Sequence, residues 1–222
     1  DLFKEHKNKC NNDKFNVLLC SDSNYFVGLF AVLNSLYENV NFLENLHFNF
    51  IIDYYSSKYF VNMLETFEKK KNIILSKTII YIDIHTLDSE ILSSKCFNGG
   101  GHLLNIGNIS RLLIGEFFNY KKLIYLDSDS IVQYDIFNKL QYFHFTKFSI
   151  YAGKADKYNR NKAKQIVIKN GSIIECNYNW KDIIGYNIDA EECCYMGAPF
   201  IADCSKWNNV YKKCIEILSI HN

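Results

Sequence analysis

The stretch Lys121-Lys-Leu-Ile-Tyr-Leu-Asp-Ser-Asp-Ser-Ile-Val132 decides the fold. Within it, a short apolar run is followed directly by two carboxylates. The run from Leu123 to Leu126 has the length and residue types of a buried β-strand. Asp127 and Asp129 follow directly, and two anions this close repel each other unless a counter-charge lies nearby. Mn²⁺ or Mg²⁺ supplies such a charge and favours oxygen ligands, often shared with substrate phosphates. The alternative is an acidic turn that caps the next element.

Size and composition indicate one α/β domain without a general nucleic-acid partner. The chain has 222 residues, of which 48% are hydrophobic, and its formal net charge is +1. That is enough apolar material for one sizeable core, and no basic stripe stands out. No run of about 18 apolar residues is present, so we expect membrane contact only through an anchor outside this chain. Residues 1–14 are charged and are predicted to be an N-terminal extension.

The cysteines leave two interpretations open. The chain has eight of them and no Cys-x-x-Cys pair, which argues against a zinc knuckle. An even number fits disulfides formed in an oxidising compartment, whereas buried free thiols are the alternative. Two Asn-x-Ser sequons, Asn108-Ile-Ser110 and Asn170-Gly-Ser172, are compatible with passage through the secretory pathway. Together these features favour a location in that pathway.

Strand-like and helix-like patterns alternate along most of the chain. Strands are predicted over about 15–20, 46–52, 78–82, 121–126, 149–153 and 194–202, and helices over about 25–37, 56–67 and 109–118 and from about 205 onward. Residues 155–190 are polar and lack a clear period, so they are predicted to be a long loop region. The alternation predicts a single domain over 1–222 with a doubly wound, mainly parallel sheet of Rossmann-like type.

Polar residues follow the ends of two predicted strands. Asp22 and Asn24 come after the first strand, whereas Asp127 and Asp129 come after the strand that contains Leu126. Ligands of open α/β sheets bind at the carboxyl ends of the strands. If these two strands lie close together in the sheet, the four side chains meet in one crevice. The sequence therefore predicts a site for a metal ion and the phosphates of a nucleotide.

Three stretches together resemble glycosyltransferase family 8. They are Asn16-Val-Leu-Leu-Cys-Ser-Asp-Ser-Asn-Tyr25, Ser110-Arg-Leu-Leu-Ile-Gly-Glu-Phe-Phe118 and Lys122-Leu-Ile-Tyr-Leu-Asp-Ser-Asp-Ser-Ile-Val132. The resemblance extends over about residues 16–207. It implies a GT-A fold, a nucleotide-sugar donor that is usually a UDP-sugar, Mn²⁺ as cofactor, and transfer with retention of the anomeric configuration. The family includes lipopolysaccharide galactosyltransferases, glycogenins and plant galacturonosyltransferases.

The resemblance also implies which residues bind the nucleotide. Asp22 matches the acidic residue of the family that contacts the uracil. Asn24 and Tyr25 match its Asn-Tyr pair beside the nucleotide. Cys20 supplies backbone at the end of the first strand, and Ser128 lies near the ribose. Without the family, the alternative is that Asp22 and Asn24 are simply an N-cap pair for the following helix.

The metal and the reacting sugar are assigned on the same basis. Asp127 and Asp129 match the metal ligands, which bind Mn²⁺ or Mg²⁺. Arg111 matches the arginine of the Tyr-Ala-Arg-Leu helix that reaches the donor. Asp156, in Tyr-Ala-Gly-Lys-Ala-Asp, matches an aspartate near the donor sugar. Arg111 and Asp156 are therefore the predicted catalytic residues.

Two departures from the family support a second hypothesis. Met196 stands where the family has the asparagine of Phe-Asn-Ala-Gly, and the His-x-x-Gly-x-x-Lys-Pro-Trp stretch with the third metal ligand is not found. The primary prediction is a glycosyltransferase that uses a UDP-sugar and a glycan, glycoprotein or glycolipid acceptor in the Golgi lumen. The alternative is a degenerate module that binds a nucleotide-sugar or a partner protein without turnover. A sugar nucleotidyltransferase is disfavoured, because Ser21–Tyr25 is not a glycine-rich phosphate loop.

Overall fold

The computed structural model describes residues 14–83, 110–140, 142, 150–154, 163–169, 172–178 and 195–207. The strands are β1 (Phe15–Ser21), β2 (Leu46–Asp53), β3 (Lys77–Ile82), β4 (Leu123–Leu126), β5 (Ile150–Lys154), β6 (Ala163–Lys169), β7 (Ser172–Tyr178) and β8 (Tyr195–Ala202). The α-helices are α1 (Phe26–Asn39), α2 (Ser57–Lys71), α3 (Ile114–Phe117) and α4 (Phe137–Leu140). Short 3₁₀ helices cover Ser23–Tyr25, Leu43–Asn45, Tyr54–Ser56, Arg111–Leu113 and Cys204–Lys206.

The central sheet has six strands in the order β3-β2-β1-β4-β8-β5. Pairing is parallel from β3 through β4, whereas β8 runs antiparallel to both β4 and β5. The predicted doubly wound, mainly parallel sheet is therefore confirmed. The chain moves outward from β1 to β3 and then returns to place β4 on the other side of β1. This reversal of strand order is where open α/β sheets bind ligands.

Both faces of the central strands are covered, which explains why these strands are almost entirely apolar. Successive side chains of a strand point to opposite faces. Leu18, Cys20 and Tyr125 therefore pack on one face, against a layer that includes residues 113–120. Val17, Leu19, Ile124 and Leu126 pack on the other, against α1 and α2. The Arg111–Leu113 turn, which leads into the first of these layers, is thus brought over the ends of β1 and β4.

Helices α1 and α2 are joined by aromatic contacts. Phe60 lies with its ring centroid 5.5 Å from that of Phe26, 6.0 Å from that of Phe30 and 5.1 Å from that of Phe50. Aromatic pairs at such distances contribute about 0.5–1.5 kcal/mol beyond the area they bury. Because Phe26 begins α1, these contacts fix the start of that helix, and the turn that precedes it, against the sheet.

The prediction of a long loop over 155–190 is wrong for part of that segment. Strands β6 and β7 form an antiparallel pair in whose backbone register Ile166 pairs with Glu175 and Ile168 with Ile173. Both strands are rich in isoleucine and valine, which fit a pleated surface. The sequence between them contains Asn170-Gly171, the strongest short hairpin signal, which the polar composition of the segment had masked. A β-hairpin therefore occupies this part of the chain.

Some predictions fall outside the described residues. They concern residues 1–13 of the predicted N-terminal extension, the assignment of Asp156 to a place near the donor sugar, and the part of the last predicted helix that lies beyond residue 207. In the described part of the chain, no helix has the length and apolar character that crossing a bilayer requires.

Candidate functional site

The turns after β1 and β4 lie side by side at the carboxyl edge of the sheet. Leu19 pairs with Leu126 in the parallel register, so the residues that follow the two strands leave the sheet as neighbours. Asp22 and Asn24 follow one strand, whereas Asp127 and Asp129 follow the other. The two strands therefore lie side by side in the sheet, which is the condition that the predicted common crevice requires.

The Asp127–Ser130 segment is a tight turn that rests on α1. The backbone N–H of Ser130 donates to the carbonyl oxygen of Asp127 over 3.1 Å. On the helix side, a Cβ added to Gly28 would collide with the carbonyl oxygen of Ser128 and lie 3.8 Å from the Cα of Asp129. The absence of a side chain at Gly28 thus allows the helix backbone to approach the turn closely.

Asp127 has two side-chain partners, and both bind the same carboxylate oxygen. The Tyr125 hydroxyl donates to Oδ1 over 2.8 Å, and Arg111 Nη2 donates to Oδ1 over 3.3 Å. Within the described ranges, no group hydrogen-bonds to Oδ2 of Asp127. Arg111 therefore supplies part of the counter-charge that two adjacent carboxylates require, while Oδ2 stays available for a further ligand.

The groups beneath Asp127 are buried and closely associated. The Arg111 guanidinium carbon lies 5.0 Å from the centroid of the Tyr125 ring, a cation–π distance. Burial raises the pKa of the Tyr125 hydroxyl, and the neighbouring Asp127 adds to that effect. Burial also raises the pKa of the Cys20 thiol, which hydrogen-bonds with the Ser110 side chain. A thiol held neutral in this way is not a nucleophile, so Cys20 contributes structure to the site.

The turn after β1 is a cap that leaves two side chains exposed. Asp22 Oδ1 accepts from the backbone N–H of Asn24 over 2.8 Å, and the backbone N–H of Tyr25 donates to the Asp22 carbonyl over 3.1 Å. Asp22 is thus the N-cap of the 3₁₀ helix Ser23–Tyr25 that precedes α1, whereas the N-cap of α1 itself is Tyr25. Asn24 is exposed, and Tyr25 exposes 44% of its surface. Their location suits contact with a nucleotide, and their roles stay predictions.

A hard cation fits the carboxylates at the end of β4, although it would need further ligands. In the ranges that the structure describes, no cluster of three or more histidine, cysteine, aspartate or glutamate residues is present. The donor set is Asp127 Oδ2 and the exposed carboxylate of Asp129, both of which are oxygens of the kind that Mn²⁺ and Mg²⁺ favour. Such cations take about six oxygens, and substrate phosphates commonly provide some of them.

Sequence reasoning missed three residues that shape this edge. Gly28 has no distinguishing pattern in the sequence, and the sequence predicts Tyr125 only as part of an apolar strand. The period of a strand was the available signal for Tyr125, because it lies two positions before Asp127 and so on the same face. The third residue is Asp53, which ends β2 in a buried position. Its Oδ2 accepts from the Ser56 hydroxyl over 3.0 Å, whereas its Oδ1 has no partner in the described part of the chain.

Comparison with known proteins gives one family and several similar folds. The model of Glycosyl transferase family 8 matches residues 16–221. No curated protein matches the chain significantly in sequence. The apo structure of the WbbM bifunctional glycosyltransferase is similar with a TM-score of 0.61 at 14% identity, over 96% of this chain and 35% of that one.

Two further solved structures share the fold. Mouse xyloside xylosyltransferase 1, in its apo form, gives a TM-score of 0.57 at 10% identity, over 94% of this chain and 74% of that one. The glycosyltransferase GlyE of Streptococcus pneumoniae TIGR4 gives 0.52 at 14% identity, over 93% and 38%. The expected GT-A fold is thereby confirmed. The chain spans only 35% and 38% of the WbbM and GlyE chains.

Proposed function

Because the chain belongs to glycosyltransferase family 8, we propose that it transfers a sugar from a UDP-sugar donor to an acceptor hydroxyl of a glycan, glycoprotein or glycolipid. The observation that carries the proposal is the pairing of Arg111 with Asp127 at the switch point of the sheet, beside the turn that holds Asp22. Retention of the anomeric configuration is part of the proposal, on the strength of family membership.

The donor diphosphate would be held between the two turns. Asp127 and Asp129 would hold Mn²⁺ or Mg²⁺, which acts as a Lewis acid on the departing diphosphate when it is bound. Arg111 adds a fixed positive charge at the same place, where negative charge develops as the glycosidic bond breaks. The exposed ring of Tyr25 offers a flat face to the uracil, and Asn24 offers an amide to the nucleotide. Asp156 is proposed to act near the donor sugar.

The competing proposal is a module that binds a nucleotide-sugar without turnover. The observation in its favour is that only two carboxylates stand at the metal position among the described residues. The two proposals differ in their products. Incubation with UDP-sugars and Mn²⁺ should release UDP slowly by transfer to water if the chain is an enzyme, whereas a binding module leaves the donor intact.

Calorimetry with UDP in the presence and absence of Mn²⁺ tests the site itself. Since two carboxylates are too few to hold the cation alone, the metal and the diphosphate should bind as a unit. We expect Mn²⁺ to tighten UDP binding about tenfold or more, and Asp129→Ala to abolish that gain. Equal UDP affinity with and without the metal would mean that Asp127-Ser-Asp129 is only an acidic turn.

We also propose a location in the lumen of the secretory pathway, in the Golgi. The support is the set of eight cysteines and two Asn-x-Ser sequons.

A further inference from the structure

Tyr125 is a core residue whose hydroxyl lies at the border of the core, beside Asp127. Only 1% of its surface is exposed, and its ring belongs to the layer between the sheet and residues 113–120. A buried hydroxyl requires a hydrogen-bond partner, because an unpaired one destabilises the fold. The partner here is a carboxylate oxygen of Asp127 at 2.8 Å, in the proposed metal site. A hydrogen bond to a charged group is stronger than one between neutral groups.

The Tyr125 ring is itself held rigidly by stacking. Its centroid lies 4.8 Å from that of Phe200 with an interplanar angle of 16°, and Phe200 stacks in turn on Trp207 at 5.8 Å and 1°. The Arg111 guanidinium carbon lies 5.0 Å from the same Tyr125 ring. One side chain therefore contacts both charged groups of the site and is anchored to β8, which pairs with β4 on the side away from β1.

We propose that Tyr125 is a positioning residue that reserves one oxygen of the Asp127 carboxylate for protein hydrogen bonds and leaves the other for the metal. This inference rests on the proposed function. The tyrosine hydroxyl and Arg111 both use Oδ1, so Oδ2 alone is left for a cation. The hydroxyl bond holds the Asp127 carboxylate in an orientation in which Arg111 bonds to Oδ1 alone. Without the hydroxyl, a bidentate Arg111–Asp127 ion pair becomes the favoured arrangement, because the guanidinium and carboxylate groups match in geometry. That pair competes directly with the metal.

Tyr125→Phe isolates the hydroxyl, since the phenyl ring keeps its stacking on Phe200 and its contact with Arg111. Mn²⁺ affinity is measured by calorimetry at saturating UDP, and UDP affinity is measured separately without metal. We expect Mn²⁺ to bind about 10- to 100-fold more weakly, as is typical when the partner of a metal ligand is removed. Metal-free UDP affinity should stay the same, because Tyr125 is buried and its hydroxyl bonds to Asp127.

Tyr120→Phe is the matched control. Tyr120 is also buried on the same face of the sheet, with 5% exposed, but its hydroxyl donates to Asn49 Oδ1 over 3.2 Å, away from the carboxylates. This control should lower stability and leave Mn²⁺ affinity unchanged. An equal loss of Mn²⁺ affinity in both variants, or no loss in Tyr125→Phe, overturns the proposal.

A crystal structure of metal-free Tyr125→Phe separates this inference from the proposed function. We expect Asp127 to have turned so that both of its oxygens pair with Arg111. An Asp127 that keeps its position refutes the positioning role, whatever the metal does. Absence of any coupling between Mn²⁺ and UDP in the unmodified protein refutes instead the metal-dependent function.

Discussion

Replacing Gly28 by alanine sets a methyl group of α1 against the turn that carries both carboxylates. The nearest atoms would be the carbonyl oxygen of Ser128, which the methyl would overlap, its carbonyl carbon at 3.3 Å and the Cα of Asp129 at 3.8 Å. All three belong to the backbone, so no side chain can rotate away. Either the helix or the turn must move, and overpacking of this kind costs about 1–3 kcal/mol.

The sign of the effect makes the test decisive. At a free position in a helix, glycine to alanine stabilises by about 1 kcal/mol, so the net loss at Gly28 is up to about 2 kcal/mol. Because the turn shifts with Ser128, UDP binding in the presence of Mn²⁺ should weaken about tenfold, or 1.4 kcal/mol. Urea unfolding and calorimetry measure the two quantities.

Ala31→Gly is the matched control for Gly28→Ala. Ala31 is exposed on the same helix, so removing its methyl should cost about 1 kcal/mol of stability through helix propensity and leave UDP binding unaltered. If Gly28→Ala is instead more stable than the unmodified protein and binds UDP equally well, the close approach of α1 to the turn is refuted.

Two further predictions concern protons and thiols. The half-buried His47 ring bonds with the hydroxyls of Ser76 and Thr78, both over 2.9 Å, and burial, followed by the charge of Lys14, lowers its pKa below the ordinary 6.5. The unfolded chain therefore binds the proton more readily, so the free energy of unfolding should fall as the pH drops below about 6.5. The variant His47→Gln should make that fall shallower. An unchanged dependence of the unfolding free energy on pH in this variant contradicts the prediction. Cys20 and Cys204 are buried and are not joined in a disulfide, so they should react with alkylating agents only after unfolding. Of the other six among the eight cysteines, at least one pair should appear as a disulfide in non-reducing mass spectrometry, and free alkylation of all six removes the main support for a luminal location.

Local pattern was enough to predict the central sheet. The apolar run before Asp127 and the run before Asp22 each have strand length and end in polar residues, so their positions at the carboxyl edge followed from the chain alone. The hairpin of β6 and β7 had an equally local signal in Asn170-Gly171. The polar composition of residues 155–190 as a whole predicts a loop, whereas the signal for the strand pair is confined to these two residues.

The contacts inside the site depend on residues that are distant in sequence. In the sequence, Tyr125 resembles any other aromatic residue of a strand. Its role depends on contact with Arg111, which belongs to a separate helical turn. Gly28 has no pattern of its own in α1, and its importance comes from the approach of Ser128, 100 positions later in the chain. Tertiary packing decides both cases, and propensity and periodicity carry no information about it.

The parallel pairing of β1 with β4 has a consequence for how the protein folds. Residues 15–82 form a β-α-β-α-β unit in which each strand pairs with the next one along the chain. Joining Leu19 to Leu126 closes a segment of on the order of 100 residues, at a loop entropy of about 4 kcal/mol. Contacts between such distant residues form slowly, and during synthesis β4 emerges only after the first unit is complete. The two halves of the candidate site are thus made at different times, and the pocket exists only once the late half has docked on the early one.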